Sequence, residues 1–383
     1  MRLLRPWMVV ALLGLLAVGA LEVAAGTGLG GFAAGALGAL LGVIALPIAT
    51  QLGLLLGAAV FGLRIRHVVI GSLRGVRTWQ LGRTAVTLRA LPVTLAAEIG
   101  PWRGPVVLRC WLAGVCSALA GIGLVGVSWA VGGGSFWRGW VLAVTPLMLH
   151  KLWPRRAALT TSTGWLLFGL PRMSGDDRDE FRAGAVASRA HELLRTGQVE
   201  AAQQAVDRLA ATHPALNTTV NCRITMHEAR GDFAEAALFL ITHISAAELG
   251  PREMSYALAG LAGVGCSAVE AGQLPAEEML PVAKKALDDA VRLGFPAYQL
   301  SGTKALLALL EDGAPEEAAR LAALGADHAT SPMSKADDYA TLARAQMLLR
   351  DNAGARASLD KAEAQAAWWP RVRQVRERLS VAG

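Results

Sequence analysis

Several kinds of catalytic equipment are missing from this chain. Its four cysteines form no Cys-x-x-Cys pair: Cys110 and Cys116 lie in an apolar run, and Cys222 and Cys266 stand 44 residues apart. They read as reduced structural thiols, not as a redox or zinc motif. None of the seven histidines (His67, His150, His191, His213, His227, His243, His328) has another four residues away on one helix, so no metal-binding helix is indicated. Gly132-Gly133-Gly134-Ser135 lacks the Gly-Lys-Ser ending of a phosphate loop. No local signature of Ser-His-Asp catalysis occurs.

Charge is scarce and unevenly placed. Only 17% of the 383 residues are charged, against 53% hydrophobic, and the mean hydropathy of +0.39 points to membrane insertion. Residues 1–175 hold 15 Lys and Arg but only two acids, Glu22 and Glu98, a net of +13; residues 176–383 carry a net of −6. The pI near 9.6 therefore reflects membrane-flanking loops and is not a nucleic-acid footprint. Glu22 is the single acid inside an apolar run, where an ionisable group is a functional candidate by default.

Apolar runs at 7–25, 30–62, 107–131 and 137–152 are long enough to span a bilayer. The first follows Arg2 and Arg5 and reads as a retained anchor, not a cleaved signal. The second is rich in Gly and Ala, which permits close helix packing, and Pro47 is expected to bend or break it. Arginines before the first run (Arg2, Arg5), after the second (Arg64, Arg66, Arg74, Arg77, Arg83, Arg89, Arg103) and after the fourth (Lys151, Arg155, Arg156) predict both termini on the cytoplasmic side of a multi-pass cell (inner) membrane protein. Between the second and third runs, residues 64–100 alternate apolar and polar positions with spaced glycines, the pattern of short strands and turns.

One stretch adds a family resemblance. Thr50–Ile65 reads TQLGLLLGAAVFGLRI. It resembles the site-2 protease family of intramembrane zinc metalloproteases, in which His-Glu-x-x-His precedes an Ala-rich turn, an aromatic-Gly pair and a basic strand. Leu52, Gly53, Ala58, Ala59, Phe61, Gly62 and Arg64 keep that frame. The two His positions hold Thr50 and Leu54, and the Glu position holds Gln51. Ile70-Gly71, Thr87-Leu88-Arg89-Ala90-Leu91-Pro92 and Ala113-Gly114-Val115 are similar to later family stretches, the last with Val in place of Pro. Thr163, in Thr161-Ser162-Thr163-Gly164, occupies the place of the family's third ligand, an Asp. The resemblance covers roughly residues 30–172. It implies a protease scaffold without its zinc ligands or its base: Leu cannot ligate, a Thr hydroxyl ligates poorly, and Gln offers no basic oxygen near neutral pH.

Ser174-Gly175-Asp176-Asp177-Arg178-Asp179-Glu180 is a polar break, and residues 173–182 read as a linker. Beyond it, His191–Ala202 and His227–Ala237 share a pattern with Gly197 and Gly231 34 residues apart, as are Ala202 and Ala236. A third copy spans Leu310–Ala319, and weaker ones centre on Gly272 and Asp351-Asn352. Gly at a tight helix turn and a small Ala five residues on resemble the tetratricopeptide repeat, whose groove binds peptides or partner helices. Trp368-Trp369-Pro370 is expected to bury the last helix.

The expected fold is mainly α. A polytopic membrane helical bundle (residues 1–172) with a small β-hairpin insertion (64–100) precedes a soluble α-helical, tetratricopeptide-like repeat domain (183–383). The expected function is non-catalytic: a membrane pseudoprotease, with Thr50, Gln51, Leu54 and Thr163 as degenerate positions, no cofactor and no metal. Its partners would be the lipid bilayer, a transmembrane protein and a protein or peptide held by the repeats, with no nucleic acid. Two alternatives stand beside it: an active zinc protease with atypical ligands, and a plain membrane-anchored repeat scaffold.

Overall fold

The computed structural model describes residues 6–82, 84–100, 102, 104–131, 133–155, 161–311, 313–329 and 331–382. Arg2, Arg5, Arg83, Arg103 and Arg156 of the charge pattern, with Pro101, Gly132 and Asp312, lie outside them. The chain is mainly helical, with one small sheet, and divides into two units, residues 1–185 and 186–383.

In the N-terminal unit the four apolar runs are helices: α1 (Pro6–Ala24), α2 (Gly28–Val60), α3 (Val106–Val131) and α4 (Ser135–Leu152). Two of them, α2 and α3, are long and apolar enough to cross a membrane. Pro47 does not break α2, which runs on for 33 residues; its neighbours α3 and α4 hold the helix through the lost hydrogen bond. Glycine sets the spacing. A Cβ on Gly53 would stand 2.6 Å from the Cys116 carbonyl oxygen, and one on Gly57 2.7 Å from Ala113 Cα, both on α3. Gly38 meets the Phe136 carbonyl and Gly139 meets that of Gly35, so α2 and α4 touch backbone to backbone.

Between α2 and α3 lie β1 (Arg64–Leu81) and β2 (Thr84–Gly100), strands longer than the short ones expected. They form an antiparallel hairpin that folds back on itself. Val68 pairs with both Ala97 and Val86, and Ile70 with both Leu95 and Leu88. The fold-back turns at Gly71 (φ +101), where a Cβ would sit 2.6 Å from the Leu91 carbonyl oxygen. Lateral bonds from Thr84 Oγ1 to the Ile65 carbonyl (2.9 Å) and between His67 and Thr87 (2.8 Å) hold the two halves together.

Residues 175–182, read as linker, are the opening turns of α5 (Gly175–Arg195), and the division between the units falls inside this helix. The C-terminal unit continues with α6 (Val199–Thr212), α7 (Asn217–Arg230), α8 (Phe233–Ala246), α9 (Pro251–Glu270), α10 (Ala276–Arg292), α11 (Ser301–Glu311), α12 (Pro315–His328), α13 (Pro332–Leu348), α14 (Asn352–Ala366) and α15 (Pro370–Ala382). From α6 to α14 each helix packs against the next in a repeat-like manner, and α5 shares an apolar core with α6, giving successive hairpins. Gly197, Gly231, Gly272 and Gly313 lie in the turns within the first four hairpins, all with positive φ. Ala202, Ala236 and Ala318, five residues past three of those glycines, have no exposed surface, so the second helix of each hairpin lies close to its neighbours.

The fifth hairpin turns at Arg350, whose φ of 59° is the one positive value outside glycine among the described residues. A Cβ in this left-handed conformation costs about 1 kcal/mol. Arg350→Gly should therefore raise the stability of the C-terminal unit by roughly 0.5–1 kcal/mol; thermal unfolding of the full chain in detergent measures it, and a lowered midpoint would contradict the assignment.

Candidate functional site

Three of the degenerate motif positions, Thr50, Leu54 and Thr163, lie along one stretch of α3. Thr50 is 1% exposed and its hydroxyl donates to the Pro47 carbonyl at 2.9 Å, inside its own helix. Its methyl group lies against Gly121, where a Cβ would be 2.9 Å away. One turn back on α3, Ser117 shares a buried 3.2 Å hydrogen bond with Thr163. Leu54 sits in an apolar cluster with Ala58, Cys110, Ala113 and Leu166. Thr163 is brought there by a bend that lays Gly164 on the Leu152 carbonyl and by the Trp111 indole, which donates to the Leu167 carbonyl at 3.1 Å. Gln51 differs from the rest: its Oε1 is buried and has no hydrogen-bond partner.

The hydroxyls and the carboxamide can accept or donate hydrogen bonds and the leucine can do neither; none of these groups ionises near neutral pH. Among the described residues no group of three His, Cys, Asp or Glu is arranged to hold a metal ion. Ser117 was not singled out in the sequence, because a serine in an apolar helix carries no pattern of its own.

Glu22, the intramembrane candidate, is fully engaged. It is 1% exposed and accepts from Thr27 Oγ1 (2.6 Å), Ser135 Oγ (2.7 Å) and Arg138 (Nε 3.0 Å, Nη2 2.7 Å). This ties the end of α1 to the start of α4, a positioning role.

A second polar centre lies in the C-terminal unit, and sequence reading missed it. Glu270 closes α9 and is 1% exposed. It accepts from Arg371 Nε (2.5 Å) on α15 and from Arg344 on α13. Arg371 also reaches Asp337 (3.2 Å) and donates to Thr341 Oγ1 (3.0 Å). The Trp369 indole donates to Asp337 Oδ1 at 2.7 Å. A cavity of about 320 Å³ beside this network is lined by Glu228, Asp337, Asp338 and Arg371, together with α9, α11 and α12. The one sequence clue was Glu270 itself, a lone acid ending the apolar stretch LAGLAGVGCSAVE.

The carboxyls of the cavity divide by environment. Burial pushes Glu270 up, but the charges of Arg371 and Arg344 outweigh it and hold the group at about 2. Glu228 goes the other way: burial and the nearby Asp337 charge push it up to about 8, against Arg371. Asp338 rises to about 7 for the same two reasons. Near neutrality the network thus combines a carboxylate locked to arginines with carboxyls that keep protons and can donate hydrogen bonds.

Known protein families, curated proteins and solved structures yield no match to this chain.

Glu228 fixes a pH dependence. Between its ordinary value of 4.5 and about 8, the folded chain holds a proton that the unfolded chain has released. Stability is therefore lost as pH rises through that window. Discounted for partial exposure, Glu228→Gln should stabilise the chain by about 1–2 kcal/mol at pH 8 and by close to nothing at pH 5. Thermal unfolding at the two pH values measures the difference; an equal effect at both would refute the assignment.

Proposed function

We propose that this chain is a non-catalytic relative of the site-2 proteases, inserted in the cell membrane by several spans, which holds a transmembrane partner in its N-terminal unit and recruits a second protein through tetratricopeptide-type repeats. The observation that carries the reading is the gathering of Thr50, Leu54 and Thr163 along α3 residues 110–121, with hydroxyl and alkyl groups where the family resemblance implies zinc ligands, and Gln51 where it implies a base. A protease scaffold without its ligands and base would be suited to binding.

Three further observations support it. The outer faces of α2 and α3 expose large apolar side chains such as Leu40 (58%), Leu56 (63%), Leu119 (61%) and Val127 (61%), which suit lipid better than water. Arginines cluster in the hairpin after α2, and this favours a cytoplasmic hairpin. The unpartnered Gln51 Oε1 is an acceptor in a low-dielectric interior, where an unmet hydrogen bond is costly and a donor from a partner segment would satisfy it.

Two measurements test the reading. Protein purified in detergent should contain far less than one equivalent of zinc; a full equivalent would establish the metalloprotease instead. A photo-crosslinking residue placed at position 163 should give a discrete protein adduct in native membranes, and the adduct should weaken several-fold with Gln51→Leu. Adducts to lipid alone would sink the binding role of the N-terminal unit.

A further inference from the structure

In a stacked repeat array each hairpin meets only its neighbours. Helix α15 departs from that rule. It follows α14 after a three-residue turn, yet it reaches the beginning of the array as well as its end. The Trp368 indole covers Gly197 in the α5–α6 turn, where a Cβ would lie 3.1 Å from Cδ1. Pro370 covers Gly231 in the α7–α8 turn at 3.3 Å. Arg371 bonds Glu270 across 101 residues of sequence, and Arg378 Nη2 donates to the Glu270 carbonyl at 2.9 Å. As a result Ala190 of α5, Val206 of α6 and Met226 of α7 share one apolar core with α13, α14, Val372, Val375 and Leu379.

The contacts are those of a bound amphipathic helix. One face of α15 (Arg371, Val372, Val375, Leu379) is buried at helical spacing, while Arg373, Arg376 and Glu377 are exposed. The helix carries four arginines against one glutamate, and the receiving helices present the Glu270 carboxylate, with Asp337 on the same Arg371. Charge complementarity and an apolar stripe are how a helix is recognised in a groove. The fit is also imperfect. Trp368 Nε1 and Gln374 Oε1 are both buried without a partner, so the segment sits with two polar groups unsatisfied. A short tether compensates for a modest fit by keeping the local concentration of α15 on the order of millimolar.

We propose that α7, α9 and α13 form a receptor for an arginine-anchored amphipathic helix, that α15 is its resident occupant, and that a partner helix of the same chemistry reaches the repeats by displacing α15. The partner would carry a buried-site arginine next to apolar residues at three- and four-residue spacing, with aromatic residues just before it. This deepens the partner-recruiting role above and rests on it. It also makes the repeat domain closed by default, so that recruitment depends on competition.

The test keeps every atom of the full chain. A protease-cleavable sequence is inserted between Ala367 and Trp368, the protein is cut in detergent, and a labelled peptide of residues 368–383 is added in excess. The cut chain should take up the peptide and release its own segment, the uncut chain should take up at least tenfold less, and the R371A peptide should bind at least tenfold more weakly than the native one, with R371K between them. Three results would each overturn the proposal: no exchange after cleavage, equal uptake of the R371A peptide, or loss of repeat helicity on cutting, which would make α15 a structural cap. Because the readout concerns α15 alone, failure here would leave recruitment through another face untouched. Successful exchange without any cellular partner would count against recruitment and leave the receptor intact.

Discussion

Helices in both units approach one another through residues with little or no side chain. In the N-terminal unit Gly38, Gly53, Gly57 and Gly139 bring α2 into backbone contact with α3 and α4. In a bilayer, which the proposed reading requires, helices gain nothing from hiding apolar surface from one another, and association rests on such contact. That contact also fixes the sequence positions of interest. With Gly53 pressed on Ser117 and Cys116, Thr50 and Leu54 face α3, so their placement follows from packing. The repeats use Ala for the same purpose, since Ala236 and Ala318 are fully buried between helices.

Close packing leaves little room for charge, and the buried carboxylates of Glu22 and Glu270 are each paired with arginine. Glu22 accepts from Arg138, Ser135 and Thr27, and Glu270 from Arg371 and Arg344. Breaking such a pair leaves the other charge stranded, so these groups specify which helix ends meet more than they add net stability. The two networks differ in one respect. Glu22 joins helices adjacent in the packing, whereas Glu270 joins the third hairpin to the terminal helix and so decides whether the array stays closed.

The helices were legible where spacing alone defines them. Four apolar runs mark α1–α4, and turn glycines at 197, 231, 272 and 313 mark four hairpins, because a tight turn needs positive φ and glycine supplies it. The fifth turn was visible only through Asp351-Asn352, since the strained position is Arg350, which has no turn signature. The opening turns of α5 were hidden because Ser174–Glu180 read as a linker, although Asp176 and Asp177 are what a helix N-terminus favours. The fold-back of the hairpin and the Arg371 network were invisible for a deeper reason: both join residues far apart in sequence, and no local pattern encodes the partner.

The division of polar groups around α3 bears most directly on what the N-terminal unit does. Thr50 spends its hydroxyl on its own helix, and Ser117 and Thr163 satisfy one another. Gln51 Oε1 alone remains open. A carboxamide oxygen cannot take a proton from water at neutral pH, but it accepts a hydrogen bond as well as a backbone carbonyl does. An apolar residue at position 51, like Leu54 one turn on, would carry no unmet acceptor. Under the proposed function, the buried open acceptor at Gln51 Oε1 suits a site that receives a donor from a partner segment better than a helix that merely fills space.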